Sequence, residues 1–361
     1  YNFIMSIYPK LFIPGPTHVP DSIMQALSKP QIGHRTEEIS KLIESIILRV
    51  KSVLYTKNNI YLTSNPATAL WEMGLVNSVK KGVLHCVNGS FSSKWAKVSK
   101  ACDYEHNVIE YNWGRAVRAD DIDKLLSTGK YDVLAMVHNE TSTGVMSNLN
   151  EVSELLLDKY PDVIWLVDAV SSMAGVKIDV DKLAIDFILS STQKAWGLPA
   201  GFSICAVSDK ILNRSSELPA KGYYFDFHVY EKYYKKSQTP YTPSIPHLFA
   251  LDEVLKIIDK EGLENRWDRH KEMRDFTINW AKNHGQELFS EINFHSNTVS
   301  CIKNIKEWNI DKMYDALLLM GYRMDRGYGP LRGKAFRIPH MGNIYMNDLI
   351  EYTKLLDNVI I

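Results

Sequence analysis

Cysteine is scarce in this chain. Its four cysteines, Cys86, Cys102, Cys205 and Cys301, show no Cys-x-x-Cys spacing, which argues against zinc sites and disulfide frameworks. Cys86 and Cys205 fall inside apolar runs and read as reduced packing residues, so a reducing cytoplasm is the expected compartment. An excess of charge of one sign is missing too. Lys plus Arg number 42 and Asp plus Glu 42, for a formal net charge of +0, whereas binders of nucleic acid or anionic membranes usually carry a basic excess. No apolar stretch approaches the ~20 residues that would span a membrane. The opening Tyr1-Asn2-Phe3-Ile4-Met5 lacks the charged and apolar regions of a signal peptide, with Met5 a candidate start. Repeats and low-complexity segments are absent. With 361 residues there is room for about two domains and a substantial core.

From about Ile60 to Val207, short β-type runs alternate with helical patterns. Ile60-Tyr61-Leu62-Thr63 precedes a helix through Ala69, Met73 and Val76. Val83 to Val87 precedes Ser92 to Ala101, and Val133 to Val137 precedes Leu149 to Tyr160. This alternation predicts a parallel sheet covered by helices, with near-continuously apolar strands because both faces are buried. Upstream, Ile39, Leu42, Ile43, Ile46, Ile47, Val50 and Val53 fall on one face of a helix over Glu37 to Leu54, with Thr36 as its N-cap. Downstream, Lys221 to Pro246 is too rich in tyrosine, phenylalanine and proline for a linker, and reads as a segment lining a site or an interface. Helical patterns return at Leu248 to Lys260 and Glu264 to Lys282, and an α+β region follows. We expect an N-terminal arm over 1–20, a large domain over 21–258 and a small one over 259–361.

Five polar segments follow apolar runs, where an open α/β sheet places its ligands. Asp168 ends Val163-Ile164-Trp165-Leu166-Val167. Lys194 sits in Ser190-Ser191-Thr192-Gln193-Lys194-Ala195-Trp196-Gly197, just after Phe187-Ile188-Leu189. An acid at one strand end and a lysine at a later one suit pyridoxal phosphate, whose aldehyde is held by a lysine and whose ring nitrogen pairs with a carboxylate. Taken alone, a lysine after a strand is more often a solvated loop residue. In Leu62-Thr63-Ser64-Asn65-Pro66-Ala67-Thr68, Ser64 or Asn65 caps a helix whose first position is Pro66. The amides of Ala67 and Thr68 and the Thr68 hydroxyl then form an anion site, although an ordinary capped helix reads the same way. Asn88-Gly89-Ser90-Phe91 offers an aromatic ring, and His138-Asn139-Glu140-Thr141-Ser142-Thr143-Gly144 a dense set of short polar groups. Arg337, flanked by apolar residues, is either a structural ion pair or a clamp for a carboxylate.

In this order, these pieces resemble the class V aminotransferases of fold type I, the group of alanine–glyoxylate and serine–pyruvate aminotransferases. The motifs that carry the resemblance run from Pro14-Gly15-Pro16-Thr17 and Gly33-His34-Arg35-Thr36 through Glu140-Thr141-Ser142-Thr143-Gly144, Val167-Asp168-Ala169-Val170-Ser171 and Ser191-Thr192-Gln193-Lys194 to Phe336-Arg337-Ile338. It implies a large domain on a mostly parallel seven-stranded sheet, a smaller α+β C-terminal domain, pyridoxal 5'-phosphate as cofactor, and a homodimer. By the same resemblance, Lys194 forms the Schiff base and Asp168 meets the pyridine nitrogen. Phe91 stacks on the ring, Ser142 and Thr141 bond near it, and Thr68, Ala67 and Gln193 hold the phosphate. Arg337 takes the substrate carboxylate, and Tyr241 and Ser244 reach the partner subunit's phosphate. The expected reaction moves an amino group from serine or alanine to pyruvate or glyoxylate, with no nucleic acid or membrane partner.

One segment departs from the family pattern. Where relatives have a Ser-Gly-Ser-Gly-Thr-like turn, this chain has Ser64-Asn65-Pro66-Ala67-Thr68, without either glycine. Two rival chemistries remain on the same fold. A phosphoserine transaminase would use His34, Arg35, Arg326 and Arg332 as cations, and a class V lyase would need a reactive loop cysteine. A non-catalytic binding protein is the reading from another class.

Overall fold

The computed structural model describes residues 8–219 and 221–360; the opening residues, including Met5, lie outside them. Seven strands form the main sheet, in the spatial order Asn59–Thr63, Ser203–Val207, Phe187–Ser191, Ile164–Asp168, Val133–Val137, Val83–Val87 and His106–Glu110. Every neighbouring pair is parallel except those made by Ser203–Val207, which runs antiparallel to both its neighbours. The strand His106–Glu110, half-exposed and polar, carries no apolar signal and is an addition to the sequence reading.

The strands are apolar on both faces because each face is covered. Leu134 and Met136 pack with the helices Glu37–Leu54, Leu149–Lys159 and Ile245–Glu261. Val133, Ala135 and Val137 alternate to the other side, against Leu70, Trp71, Trp95 and Phe227. Period-two alternation thus sorts one strand into two cores. The helix Glu37–Leu54 begins as expected, with the Thr36 hydroxyl accepting the Ile39 N–H at 3.5 Å, and it ends at Tyr55, whose φ of 49° is left-handed.

Two expectations need correction. The helix after the first strand starts at Ala67 with Pro66 as its N-cap and no side-chain cap, not with Ser64 or Asn65 capping ahead of Pro66. Asn65 is already engaged, since its Oδ1 accepts the Thr63 hydroxyl at 3.0 Å. The aromatic segment also contains a helix, Phe227–Tyr234, capped by the Asp226 side chain on the His228 N–H at 2.9 Å. Aromatic residues have weak helix propensity. Burial of Phe227 and Tyr230 beside Tyr61 supplies the stability instead.

A third core gathers Phe12 with Trp280, Phe336 and Tyr352. The Phe12 ring stacks on Tyr352 at 4.0 Å, and the strand Lys10–Phe12 pairs in parallel with Tyr322–Met324. The start of the chain is thereby fastened to its C-terminal α+β region. Among the described residues no helix is long and apolar enough to cross a membrane.

Arg266 ties the helix Leu263–Asn283 to the sheet edge. Fully buried, it donates to the carbonyls of Ala174 (2.7 Å) and Ala195 (2.9 Å) and pairs with Glu261 at 2.9 Å. Burial pushes its pKa down to about 10, still well above neutrality. Arg266→Ala is expected to cost about 3 kcal/mol, the range for breaking a buried pair. A denaturant midpoint unchanged from wild type would show that the side chain is dispensable.

Candidate active site

The register of three strands builds one edge. Thr63 lies opposite Ser203, which lies opposite Ser191. Asp168 lies opposite Leu189 on one side and Val137 on the other. The turns after Thr63, Val137, Asp168 and Ser191 therefore leave the sheet side by side, as ligand-binding turns do in open α/β sheets.

Lys194 emerges from the last of these turns and is 7% exposed. Its Nζ donates to the carbonyl of Pro14 and stands 5.7 Å from the centroid of the Phe91 ring. Gly15 makes room for it, since a Cβ there would lie 2.6, 2.7 and 2.9 Å from Lys194 Cδ, Cε and Nζ. Burial, and next the Arg337 guanidinium, push the amine down to about 7, against the opposing pull of Asp168, Asp325 and Glu140. An amine in that range is available unprotonated at neutral pH, as carbonyl condensation requires.

Asp168 is buried and close enough to Lys194 for its charge to act on the amine. The Trp71 indole donates to its Oδ2 and the Val170 N–H to its Oδ1, each at 2.8 Å. Burial raises its pKa to about 6, while those two hydrogen bonds pull it down. Sequence reasoning misses Trp71, because its place in an apolar helix reads as core and nothing marks its indole N–H.

Glu140 organises the turn that carries Phe91. Fully buried, it accepts the N–H groups of Phe91 (3.1 Å) and Ser92 (2.9 Å) and the hydroxyls of Ser92 (3.0 Å) and Ser142 (2.6 Å). Any side chain at Gly89 would collide with Glu140 and Ser142. Phe91 in turn stacks against Tyr328 at 5.2 Å.

Arg337 is 5% exposed and grips Asp325 through two bonds, Nε to Oδ1 at 2.9 Å and Nη2 to Oδ2 at 2.7 Å. Its Nη1 donates to the Thr141 carbonyl at 3.1 Å. Asp325 is the second residue missed, because Arg323-Met324-Asp325-Arg326 reads as a solvated charge run.

These groups meet in a cavity of about 330 Å³ lined by Pro14, Gly15, Phe91, Lys194, Tyr328 and Arg337 among others. Larger clefts of about 680 and 760 Å³ lie elsewhere, around Trp267 and Trp113, without this set of residues. The other expected residues lie outside the cavity lining. Thr141 bonds Ser171, and the Ser142 hydroxyl hydrogen is committed to Glu140. Gln193 accepts the Ser191 hydroxyl at 2.6 Å and, through its carbonyl, the Thr17 N–H at 3.0 Å. Ala67 and Thr68 form the uncapped start of their helix. Tyr241 stacks on Tyr224 at 4.6 Å, and the Ser244 N–H donates to Ser64 Oγ at 2.8 Å within the same chain. Arg35 is held by the carbonyls of Thr239 and Pro240, away from the cavity.

The residues fit pyridoxal phosphate. A buried amine near pKa 7 lies close to a buried carboxylate that has acceptor capacity left. The uncapped helix start leaves its first N–H groups for a phosphate. Fold and site together define a pyridoxal-phosphate-dependent aminotransferase.

Comparison with known proteins agrees. The family model described as aminotransferase class-V matches residues 11–313. An uncharacterised aminotransferase of Methanocaldococcus jannaschii is 36% identical over 92% of this chain and 87% of its own. A serine–glyoxylate aminotransferase of Arabidopsis thaliana is 29% identical over 92% of this chain and 86% of its own. The solved structure of an alanine–glyoxylate aminotransferase from Nostoc sp. superposes with a TM-score of 0.92 at 26% identity, covering 99% of this chain and 97% of that one. The chain belongs to the class-V aminotransferase family.

The Trp71 contact has a measurable consequence. Trp71→Phe removes a donor to the ionised form of Asp168, so the carboxyl pKa is expected to rise further above about 6. The carboxyl stretch followed by infrared spectroscopy against pH, and the acid limb of the rate profile, should both move to higher pH. A midpoint that stays or falls would remove this role from Trp71.

Proposed function

We propose that this enzyme takes a small amino acid, serine or alanine, as donor and a small 2-oxo acid, pyruvate or glyoxylate, as acceptor. The observation that carries this reading is the conjunction of Lys194, Phe91 and the Arg337 guanidinium in one cavity of about 330 Å³, near the lower end for small-molecule sites. The relatives named for serine or alanine with glyoxylate support the choice.

In this reading Lys194 would hold the cofactor aldehyde, and Asp168 would pair with the ring nitrogen. Phe91 covers the ring, while the Ala67 and Thr68 N–H groups, with Gln193 nearby, hold the phosphate. Thr141 and Ser142 act from beneath, by fixing Arg337 and the Phe91 turn. When bound, pyridoxal phosphate supplies a reactive aldehyde and an electron-accepting ring. Lys194, as a neutral amine, would take the proton from the substrate's Cα. Asp168 keeps a positive charge on the ring nitrogen by remaining ionised above its pKa of about 6. Arg337 orients the substrate carboxylate.

The active unit in this proposal is a homodimer in which Tyr241 and Ser244 approach the partner's phosphate, supported by the 81% exposure of Tyr223 beside that segment. A reducing cytoplasm is supported by four free cysteines, three of them buried. None of the four lines the cavity, which removes the support for a lyase. Of the four cations a phosphoserine transaminase would use, Arg326 and Arg332 line the cavity, whereas His34 and Arg35 do not.

Purified holoenzyme is expected to be yellow and, after borohydride reduction, to carry the cofactor on the peptide containing Lys194. Lys194→Ala should lose turnover altogether. Single amino acids that bleach the yellow form rank the donors. Full turnover in the alanine variant, or label on another lysine, would sink the assignment.

A further inference from the structure

Arg337 does not present a free guanidinium to the cavity. Of the five N–H groups an arginine carries, those of Nε and Nη2 meet Asp325 and one of Nη1 meets the Thr141 carbonyl. Five less three leaves two, one on each terminal nitrogen, without an acceptor among the described residues.

Asp325 is itself fixed. Its Oδ1 accepts the Gly327 N–H at 2.9 Å and the Arg337 N–H at 3.2 Å as well as Nε. Gly327, at φ +84°, can carry no side chain there, because a Cβ would run into the carbonyl oxygens of Ala335 and Leu331. The turn therefore has one geometry. The two side chains are 7% and 11% exposed, so water screens the pair little. A carboxylate approaching the two remaining N–H groups meets a guanidinium whose charge is already balanced, with a like charge on its far side.

We propose that Asp325 determines specificity at the carboxylate end of this site. It holds in place the Arg337 guanidinium that lines the cavity, and it makes that cation weakly attractive to a carboxylate by cancelling the charge behind it. Substrate carboxylates are then selected by hydrogen-bond geometry, and donors bind loosely. This rests on Arg337 receiving the substrate carboxylate, as proposed above.

The test is Asp325→Asn in the holoenzyme. The amide oxygen can keep the bonds now made to Oδ1, while the charge disappears and the Nη2 bond to Oδ2 is lost, since an amide NH2 cannot accept it. KM for the amino donor is expected to fall on the order of tenfold, with kcat changing much less. The inhibition constant of acetate, a carboxylate without an amino group, should fall in parallel. Asp325→Ser removes the charge and the two-point contact together, so KM and acetate binding should improve less than in Asp325→Asn. If neither variant lowers KM or tightens acetate binding, the proposal is overturned and Asp325 only holds the turn. Arg337→Ala separates the two claims. A rise in KM and loss of acetate inhibition there keeps the underlying reading, whereas no change in either would remove that reading itself.

Discussion

Everything at this site follows from one costly act, the burial of an amine. An ammonium ion taken out of water without a full partner set gives up its proton more readily than it stays charged. Lys194 is in that position, with a backbone carbonyl as its hydrogen-bond acceptor and a guanidinium in the same cavity. Its downward shift to about 7 is the chemical result. The rest of the molecule holds the amine there. Gly15 supplies the space, and Arg266 grips the carbonyl of the next residue, Ala195. Asn343 donates to the carbonyl of Gly197 at 3.1 Å, so the loop is fastened from the C-terminal region as well.

The same burial governs the neighbouring charges. Arg337 alone would add a second unbalanced cation beside the lysine, and Asp325 balances it across a two-point contact. Asp168 experiences the reverse pressure, since burial raises its pKa and the Trp71 and Val170 N–H groups oppose that rise. The two shifts bring an amine and a carboxyl to about 7 and about 6, close to the pH at which proton transfer is useful. Glu140 plays a different part. With hydrogen bonds from Phe91, Ser92 and Ser142, it joins the Phe91 turn to the hairpin that pairs Asn139–Glu140 with Val145–Met146, whose Thr141 carbonyl also receives Arg337. One buried carboxylate thereby couples the aromatic wall to the segment that steadies the guanidinium.

Much of this was legible in the chain, and the reason is specific. The strands Val133–Val137 and Ile164–Asp168 are apolar at every position up to their ends, so the first polar residue marks where the sheet stops and a site can begin. The helix Glu37–Leu54 is legible because its apolar stripe and cap agree. Partnerships are the part that stays hidden. Trp71 meets Asp168 only once its helix has packed on the sheet, and Asp325 meets Arg337 across a turn between two strands of different sheets, so no local pattern encodes either contact. The strand His106–Glu110 is missed for a related reason. It lies at the edge of the sheet, and its polar residues leave no periodic signal.

The turn from Ser64 to Thr68 shows how a departure in sequence can be absorbed by structure. Each polar side chain before Pro66 is used inside the protein. The Ser64 hydroxyl takes the Ser244 N–H, Asn65 Oδ1 takes the Thr63 hydroxyl, and the Ser203 hydroxyl donates to the Asn65 carbonyl at 2.8 Å. With Pro66 as a rigid N-cap and no side chain closing the helix start, the first N–H groups stay uncapped at the positive end of the helix dipole. Glycines in such a turn let the backbone wrap an anion closely. Here the proline and its braced neighbours hold the helix start rigid instead, so an anion must come to a preformed set of donors. In the proposed reading the grip on phosphate would be traded from adaptability to preorganisation, with the exposed Thr68 hydroxyl available beside the helix start.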